Sequence, residues 1–263
     1  MNLGLEGKVA LVGGASRGLG YACAEALANE GADLAICSRS KSAIETAGER
    51  LHRETGAAVE AVVCDQTDPN EIEALVTRAM SRYGRIDILV SNTGGPPPGL
   101  FADQDDRAWQ EAFEELVMSV VRLCRAVIPT MREHGWGRIV ANTSFTVREP
   151  AERLVLSNAL RAAVVGLSKT LSREVASAGV TVNCVCPGAF DTARLQSVFE
   201  SEAAASGQTA QDVQAAWEGR IPIGRLSKPE EPAALVAFLC SDRAASITGA
   251  CLPIDGGMLR GLF

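Results

Sequence analysis

The chain has 263 residues, 47% of them hydrophobic, with 25 Lys and Arg set against 32 Asp and Glu for a formal net charge of -7. That length and apolar content suit a single α/β domain over residues 1–263 with a sizeable core, and the acidic balance argues against general binding to nucleic acid or to an anionic membrane. No apolar run approaches the roughly 20 residues that span a bilayer, and the opening MNLGLEGK lacks the basic-then-apolar pattern of a leader, so a cytoplasmic protein is expected.

Val9-Ala10-Leu11-Val12 reads as a first buried strand, and Gly13 to Gly20, GGASRGLG, as the turn that follows it. Leu19, Ala22, Cys23, Ala26 and Leu27 then recur at helical spacing. Strand, glycine turn and helix in that order form a dinucleotide site. Gly14 allows the sharp turn, Gly18 lets the backbone approach a pyrophosphate, and Gly20 lets the helix pack close to the sheet. The helix N-terminus offers free N–H groups and a positive dipole end. The bland alternative is a plain connector.

The second strand, Asp33 to Cys37, decides the cofactor at its end. An acidic residue there would bond the adenosine ribose of NAD, whereas a basic one accommodates the 2′-phosphate of NADP. The position holds Ser38 followed by Arg39, and Arg17 in the glycine turn supplies a second planar cation, so NADP(H) is favoured over NAD.

Further along, a strand at Val59–Cys64 ends in Asp65-Gln66, and a helix runs from Asn70 to about Arg82. A strand over Ile86–Val90 leads into Ser91-Asn92-Thr93-Gly94 and then Gly95-Pro96-Pro97-Pro98-Gly99, a loop that its prolines should stiffen. Trp109 to Met131 reads as one long amphipathic helix, Gly137 to Ser144 as a strand, and Thr181 to Gly188 as another. The eight cysteines form no CxxC pair or Cys/His cluster, so no metal site is expected and most should be inert buried thiols. Cys184 and Cys186 share one face of their strand.

The GxxxGxG spacing at Gly14, Gly18 and Gly20, the Ser91–Gly94 run, Ser144, the stretch SNALRAAVVGL and the Pro187-Gly188 pair together resemble the short-chain dehydrogenase/reductase family, most closely its 3-oxoacyl-carrier-protein-reductase-like branch. The resemblance spans essentially the whole chain. It implies a doubly wound Rossmann domain with a seven-stranded parallel sheet and helices on both faces, in agreement with the alternation of apolar strands and amphipathic helices. It also implies a homotetramer built on the long helices and the C-terminal strand, and a segment, 195–220, that closes over a small-molecule substrate. Cofactor contacts are implied for Gly14, Ser16, Arg17, Gly18, Leu19, Gly20, Ser38, Arg39, Asp65, Gln66, Asn92, Gly94, Pro187, Gly188 and Thr192. Ser144 takes the place of the serine that bonds the substrate carbonyl oxygen.

Besides the Ser91–Gly94 run, which keeps two of the four letters of the family's NNAG motif, four positions depart from the family pattern. Gly13 replaces a Thr whose hydroxyl ties the turn down, Leu116 stands at the Asn that kinks the long helix and holds a relay water, Ser157 stands for the Tyr and Arg161 for the Lys. An aliphatic hydroxyl is a far weaker acid than a phenol, and a guanidinium does not hand over its proton, so Ser157 and Arg161 cannot reproduce the usual relay. Tyr21, Tyr83 and Lys169 fall away from the reacting end, which leaves Arg148 and Glu149, with Glu149 a carboxylate that a partly dry pocket could tune into an acid; a solvated loop is the alternative. The expected activity is NADP(H)-dependent carbonyl or alcohol chemistry with a proton path through Ser144, water or Glu149. Nucleotide binding without turnover, and non-redox chemistry like that of the related halohydrin dehalogenases, are the rival readings.

Overall fold

In the computed structural model, which describes residues 2–262, the apolar runs become the strands β1 (Val9–Val12), β2 (Asp33–Ser38), β3 (Val59–Val63), β4 (Ile88–Ser91), β5 (Gly137–Asn142), β6 (Val180–Pro187) and β7 (Cys251–Ile254). They pair in parallel as one seven-stranded sheet in the order β3-β2-β1-β4-β5-β6-β7. The chain winds from β1 to one edge, returns to β4 and winds to the other. The direction reverses between β1 and β4, and at such a switch point a crevice opens beyond the C-terminal strand ends.

The strands are largely apolar because helices cover both faces. Ala10 and Val12 of β1 face a core shared with α1 (Gly18–Asn29), α2 (Lys41–Thr55) and a later helix, Glu230–Leu239. Leu11 points the other way, into a core built with α3 (Pro69–Tyr83), with a helix at Ser119–Glu133 and with another at Val155–Val175. The ends of α3 follow from local chemistry: Asp68 accepts from Asn70 N, Pro69 needs no N–H at the first turn, and Gly84 closes the helix at φ +74°.

Several boundaries differ from the sequence reading. β4 starts at Ile88, and the buried Asp87 before it accepts from Val9 N at 2.9 Å and from Arg85 Nε at 2.8 Å. β5 stops at Asn142, and Thr143 turns its hydroxyl to Val185 O at 2.7 Å. The long helix expected over Trp109 to Met131 is two helices, α4 (Asp106–Phe113) and α5 (Ser119–Glu133), joined by a π-turn over Glu114–Met118. In that turn Ser119 N–H reaches back to Glu114 O, so one extra residue is accommodated and the side chains beyond it are rotated. The π-turn forms here without an Asn; Leu116 at its centre is buried.

After α6 (Val155–Val175), the segment 195–220 folds as most of α7 (Ala193–Ser206) and as α8 (Ala210–Glu218), and α9 (Glu230–Leu239) follows. Phe199, Ala203, Val213, Ile221 and Leu226 give α7 and α8 a small core of their own. No helix of the described residues is long and apolar enough to cross a membrane.

Candidate active site

The glycine turn is anchored to both neighbours of β1, through Gly13 N to Val90 O and Ala15 N to Cys37 O, each at 3.0 Å. Gly14 lies at φ +56°, and a Cβ there would stand 2.8 Å from Asn92 Nδ2. A Cβ at Gly20 would strike the Gly14 carbonyl, so α1 packs at a separation only glycine allows. Asn92 holds the turn from the side: Nδ2 donates to Gly13 O at 3.2 Å and Gly14 O at 3.4 Å. Its Oδ1 accepts from Asn142 Nδ2 at 2.9 Å, and its backbone oxygen accepts from Gln66 Nε2 at 3.1 Å. Gln66 also fills the room vacated at Gly13, where a Cβ would lie 2.5 Å from Gln66 Oε1. The turn therefore keeps its anchor without the missing hydroxyl.

Arg17 precedes α1 with no side chain capping the helix, which leaves the first N–H groups of α1, from Gly18 and Leu19 on, free for an anion. Ser16 is half-buried beside them. At the end of β2, Ser38 Oγ donates to Ser40 O at 3.3 Å, and Ser40 caps α2. Arg17 and Arg39 are both exposed and make no ion pair or side-chain hydrogen bond among the described residues. A cavity of about 440 Å³ opens here, lined by Ser16, Arg17, Gly18, Tyr21, Ser42 and Arg50 among others. Asp65 closes a local turn, its Oδ1 accepting from Thr67 N at 3.0 Å and Thr67 Oγ1 at 2.8 Å.

At the other end of the crevice, Ser144 leaves β5 with its Oγ accepting from Thr146 N at 3.2 Å, so its own O–H is left to donate elsewhere. Ser157 and Arg161 lie four apart on α6 and share a face. The Ser157 hydroxyl has no hydrogen-bond partner among the described residues, although the residue is buried. Arg161 donates to Asn142 O at 3.1 Å and to Gly94 O at 2.8 Å. Burial pulls its pKa down to about 10, with Arg194 adding to the fall and Glu115 opposing it.

The proline loop is tied at three points. Arg161 holds Gly94 O, Arg194 Nη2 donates to Pro96 O at 2.5 Å, and Gly99 N donates to Arg153 O at 2.6 Å. Arg153 is the only non-glycine at positive φ among the described residues, +58°, and it leads directly into α6. Glu115, turned toward this loop by the π-turn, has Oε1 2.9 Å from where a Cβ of Gly94 would be. On the far side, Gly188 N bonds Ile254 O at 3.0 Å after Pro187 ends β6, and a Cβ at Gly188 would lie 2.7 Å from Asp255 Cα. Thr192 caps α7 and lies 3.7 Å from the Cβ direction of Gly18, which brings the two ends of the crevice together. Phe145, next to Ser144, meets Trp217 of α8 edge-on with ring centroids 6.4 Å apart.

Other sequence candidates sit elsewhere. Glu149 is exposed and its Oε2 accepts from Arg260 N at 3.5 Å, so the partly dry pocket allowed for it is absent; Arg148 Nη2 donates to Cys251 O at 2.6 Å. Tyr21 OH reaches Glu54, Tyr83 OH reaches Leu34 O, and Lys169 Nζ reaches Gly249 O. Glu115 and Arg194 were not foreseen. Their only sequence signals are their places, one residue before Leu116 and two after Thr192.

A glycine turn at the switch point of this sheet, facing a polar cleft at the strand C-termini, defines a nucleotide-binding α/β protein. A family profile described as Enoyl-(Acyl carrier protein) reductase matches residues 14–259. The chain is 38% identical over 253 residues to a monensin polyketide synthase putative ketoacyl reductase of Streptomyces virginiae, covering 95% of this chain and 97% of that one. It is 37% identical over 256 residues to the 3-oxoacyl-[acyl-carrier-protein] reductase FabG of Escherichia coli, covering 97% and 99%. Among solved structures, L-sorbose reductase from Gluconobacter frateurii, complexed with NADPH and L-sorbose, superposes with a TM-score of 0.94 at 34% identity over 100% of both chains. This chain belongs to the short-chain dehydrogenase/reductase family.

Proposed function

We propose that the protein is an NADP(H)-dependent ketoreductase-type oxidoreductase that interconverts a carbonyl and an alcohol by a proton path that differs from the family's. The observation that carries the cofactor is the pair of unpaired guanidiniums, Arg17 and Arg39, beside an uncapped helix N-terminus. The solved relatives with NADPH in their descriptions support the same choice. NADP(H) held at the glycine turn would supply the hydride for the substrate carbon. Ser144 donates its free O–H to the carbonyl oxygen, and Arg161, protonated below about pH 10, stabilises negative charge developing there. With no phenol at position 157, the proton comes from water, and Glu115 is the carboxylate that reaches the cluster. The segment 195–220 closes over the substrate, with Trp217 against Phe145 as the supporting contact.

A second reading, NADP(H) binding without turnover, rests on the loss of three of the four relay residues, with Leu116, Ser157 and Arg161 in their places. Calorimetric titration with NADPH and NADH, followed by assay of a variant carrying Ser157→Tyr and Arg161→Lys, separates the two. Tight NADPH binding with activity in the parent supports the enzyme; binding with activity only in the variant supports the sensor. Binding of neither nucleotide removes both.

A homotetramer is part of the same proposal. Its support is a groove of about 670 Å³ lined by Thr67, Trp109, Phe113 and Leu160, with Phe113 exposed on α4. Light scattering at micromolar concentration reads it directly. We also assign the protein to the cytoplasm, on eight cysteines whose scattered spacing offers no disulfide framework.

A further inference from the structure

The proposed reaction makes no use of the cysteines, yet two of them meet. Cys186 near the end of β6 and Cys251 at the start of β7 place their sulfurs 3.0 Å apart. The sheet register pairs Cys251 with Cys184, so the contact is a diagonal one that strand spacing did not reveal. Cys186 is fully buried, with Thr143 Oγ1 3.3 Å from its sulfur; Cys251 is partly exposed. Arg148, reaching from the turn after Ser144 to the Cys251 carbonyl, brings a cation to the outer sulfur.

We infer that Cys186 and Cys251 form a thiol oxidation site that reacts with hydroperoxides, with Cys251 as the attacking sulfur and Cys186 as the resolving one. The Cys251 thiol is pulled down to about 7, first by the hydrogen bond from Cys186 and then by Arg148 against the opposing effect of burial, whereas the Cys186 thiol is pushed up. Of the two sulfurs, the partly exposed Cys251, with Arg148 beside it, is the one favoured as thiolate. In the first step the Cys251 thiolate attacks one oxygen of the peroxide. The S–O bond forms, the O–O bond breaks, and the departing oxygen takes a proton and leaves as water or an alcohol. In the second, Cys186 sulfur attacks the sulfenic acid; the S–S bond forms, the S–O bond breaks, and the Cys186 proton leaves with hydroxide as water. Two thiols are oxidised and one peroxide is reduced.

A second thiol pair serves as an internal control. Cys37 and Cys64 also interact, Cys37 being the first cause that pushes the Cys64 thiol up, but both are buried and no arginine hydrogen-bonds to either among the described residues. Proximity alone would oxidise both pairs; the inferred chemistry selects one. The disulfide would join β6 to β7 behind the turn that carries Ser144.

The test treats the reduced full-length protein with a small excess of hydrogen peroxide and maps linked peptides without reductant. A link between positions 186 and 251, reversible by dithiothreitol, with Cys37 and Cys64 still free, is the expected result. Cys186→Ser should leave Cys251 as a sulfenic acid trapped by dimedone, and Arg148→Met should slow oxidation by roughly tenfold. On the unaltered protein, brief iodoacetamide labelling should reach Cys251 before any other cysteine. Equal oxidation of the 37/64 pair, no dimedone adduct in folded Cys186→Ser, or preferential labelling of another cysteine would each overturn the inference.

Discussion

Arg161 Nη2 lies 2.8 Å from the carbonyl oxygen of Gly94, which ties the helix bearing Ser157 to the loop that walls the cleft. The same guanidinium holds Asn142 O through its other nitrogen, so a single side chain spans β5, α6 and the proline loop. A lysine at this position could satisfy the same carbonyls only as a compact point charge on a flexible stem.

Removing that guanidinium should therefore cost both order and rate. In Arg161→Leu, two carbonyls lose a donor and the charge near the reacting oxygen disappears, and kcat should fall by about 100-fold. Arg161→Lys should recover part of the loss. Steady-state kinetics with a thermal unfolding curve for each variant checks this; equal kcat in all three would remove Arg161 from the chemistry.

Cofactor choice should respond to the β2 end. Arg39→Glu removes a cation and adds a repelling carboxylate, and a charged hydrogen bond of about 1.5–3 kcal/mol corresponds to roughly 10- to 100-fold in affinity. NADPH binding should weaken by that amount while NADH binding changes little. Calorimetry on the variant reads both constants.

The pH profile should lack the limb that a titrating phenol gives. Ser144 and Ser157 hydroxyls do not ionise in the working range, and Arg161 keeps its charge below about pH 10 and loses it above. Activity should accordingly show no fall assignable to these groups until pH rises through about 10, and any fall there should vanish from the residual activity of Arg161→Leu. A kcat profile over the alkaline range decides it.

Gly14→Ala should be far worse than a typical surface change. The new methyl would meet Asn92 at 2.8 Å in a backbone conformation, φ +56°, that alanine adopts only under strain. The expected loss is of order 1–3 kcal/mol of stability together with nucleotide binding. A Tm equal to that of the parent with full NADPH affinity would contradict the close-packed turn described above.

The fold was legible because each signal was local. Short apolar runs bounded by turn residues, such as Val9–Val12, fit doubly covered strands, and Gly14, Gly18 and Gly20 mark where the backbone must turn or approach closely. Ser144, Ser157 and Arg161 were marked as one group by the resemblance to the short-chain dehydrogenase/reductase family, because helix and strand periods alone do not bring residues of different elements together. Glu115 was hidden for a physical reason: the π-turn at Glu114–Met118 adds a residue to the helical register, and nothing in the sequence Glu114-Glu115-Leu116 distinguishes an acid on the solvent face from one turned to the loop. Arg194 and the Cys186–Cys251 contact depend on how distant segments pack, which spacing along the chain does not encode.

The transfer of deuterium decides whether this chain is an oxidoreductase. NADPH deuterated at the transferable position of carbon 4 is incubated with the protein and a panel of ketones and 3-oxoacyl thioesters, and products are read by mass spectrometry. Deuterium on the new carbinol carbon, lost in Ser144→Ala with NADPH affinity retained, is the predicted result. Tight NADPH binding with no deuterium in any product would contradict it and leave the protein a nucleotide binder.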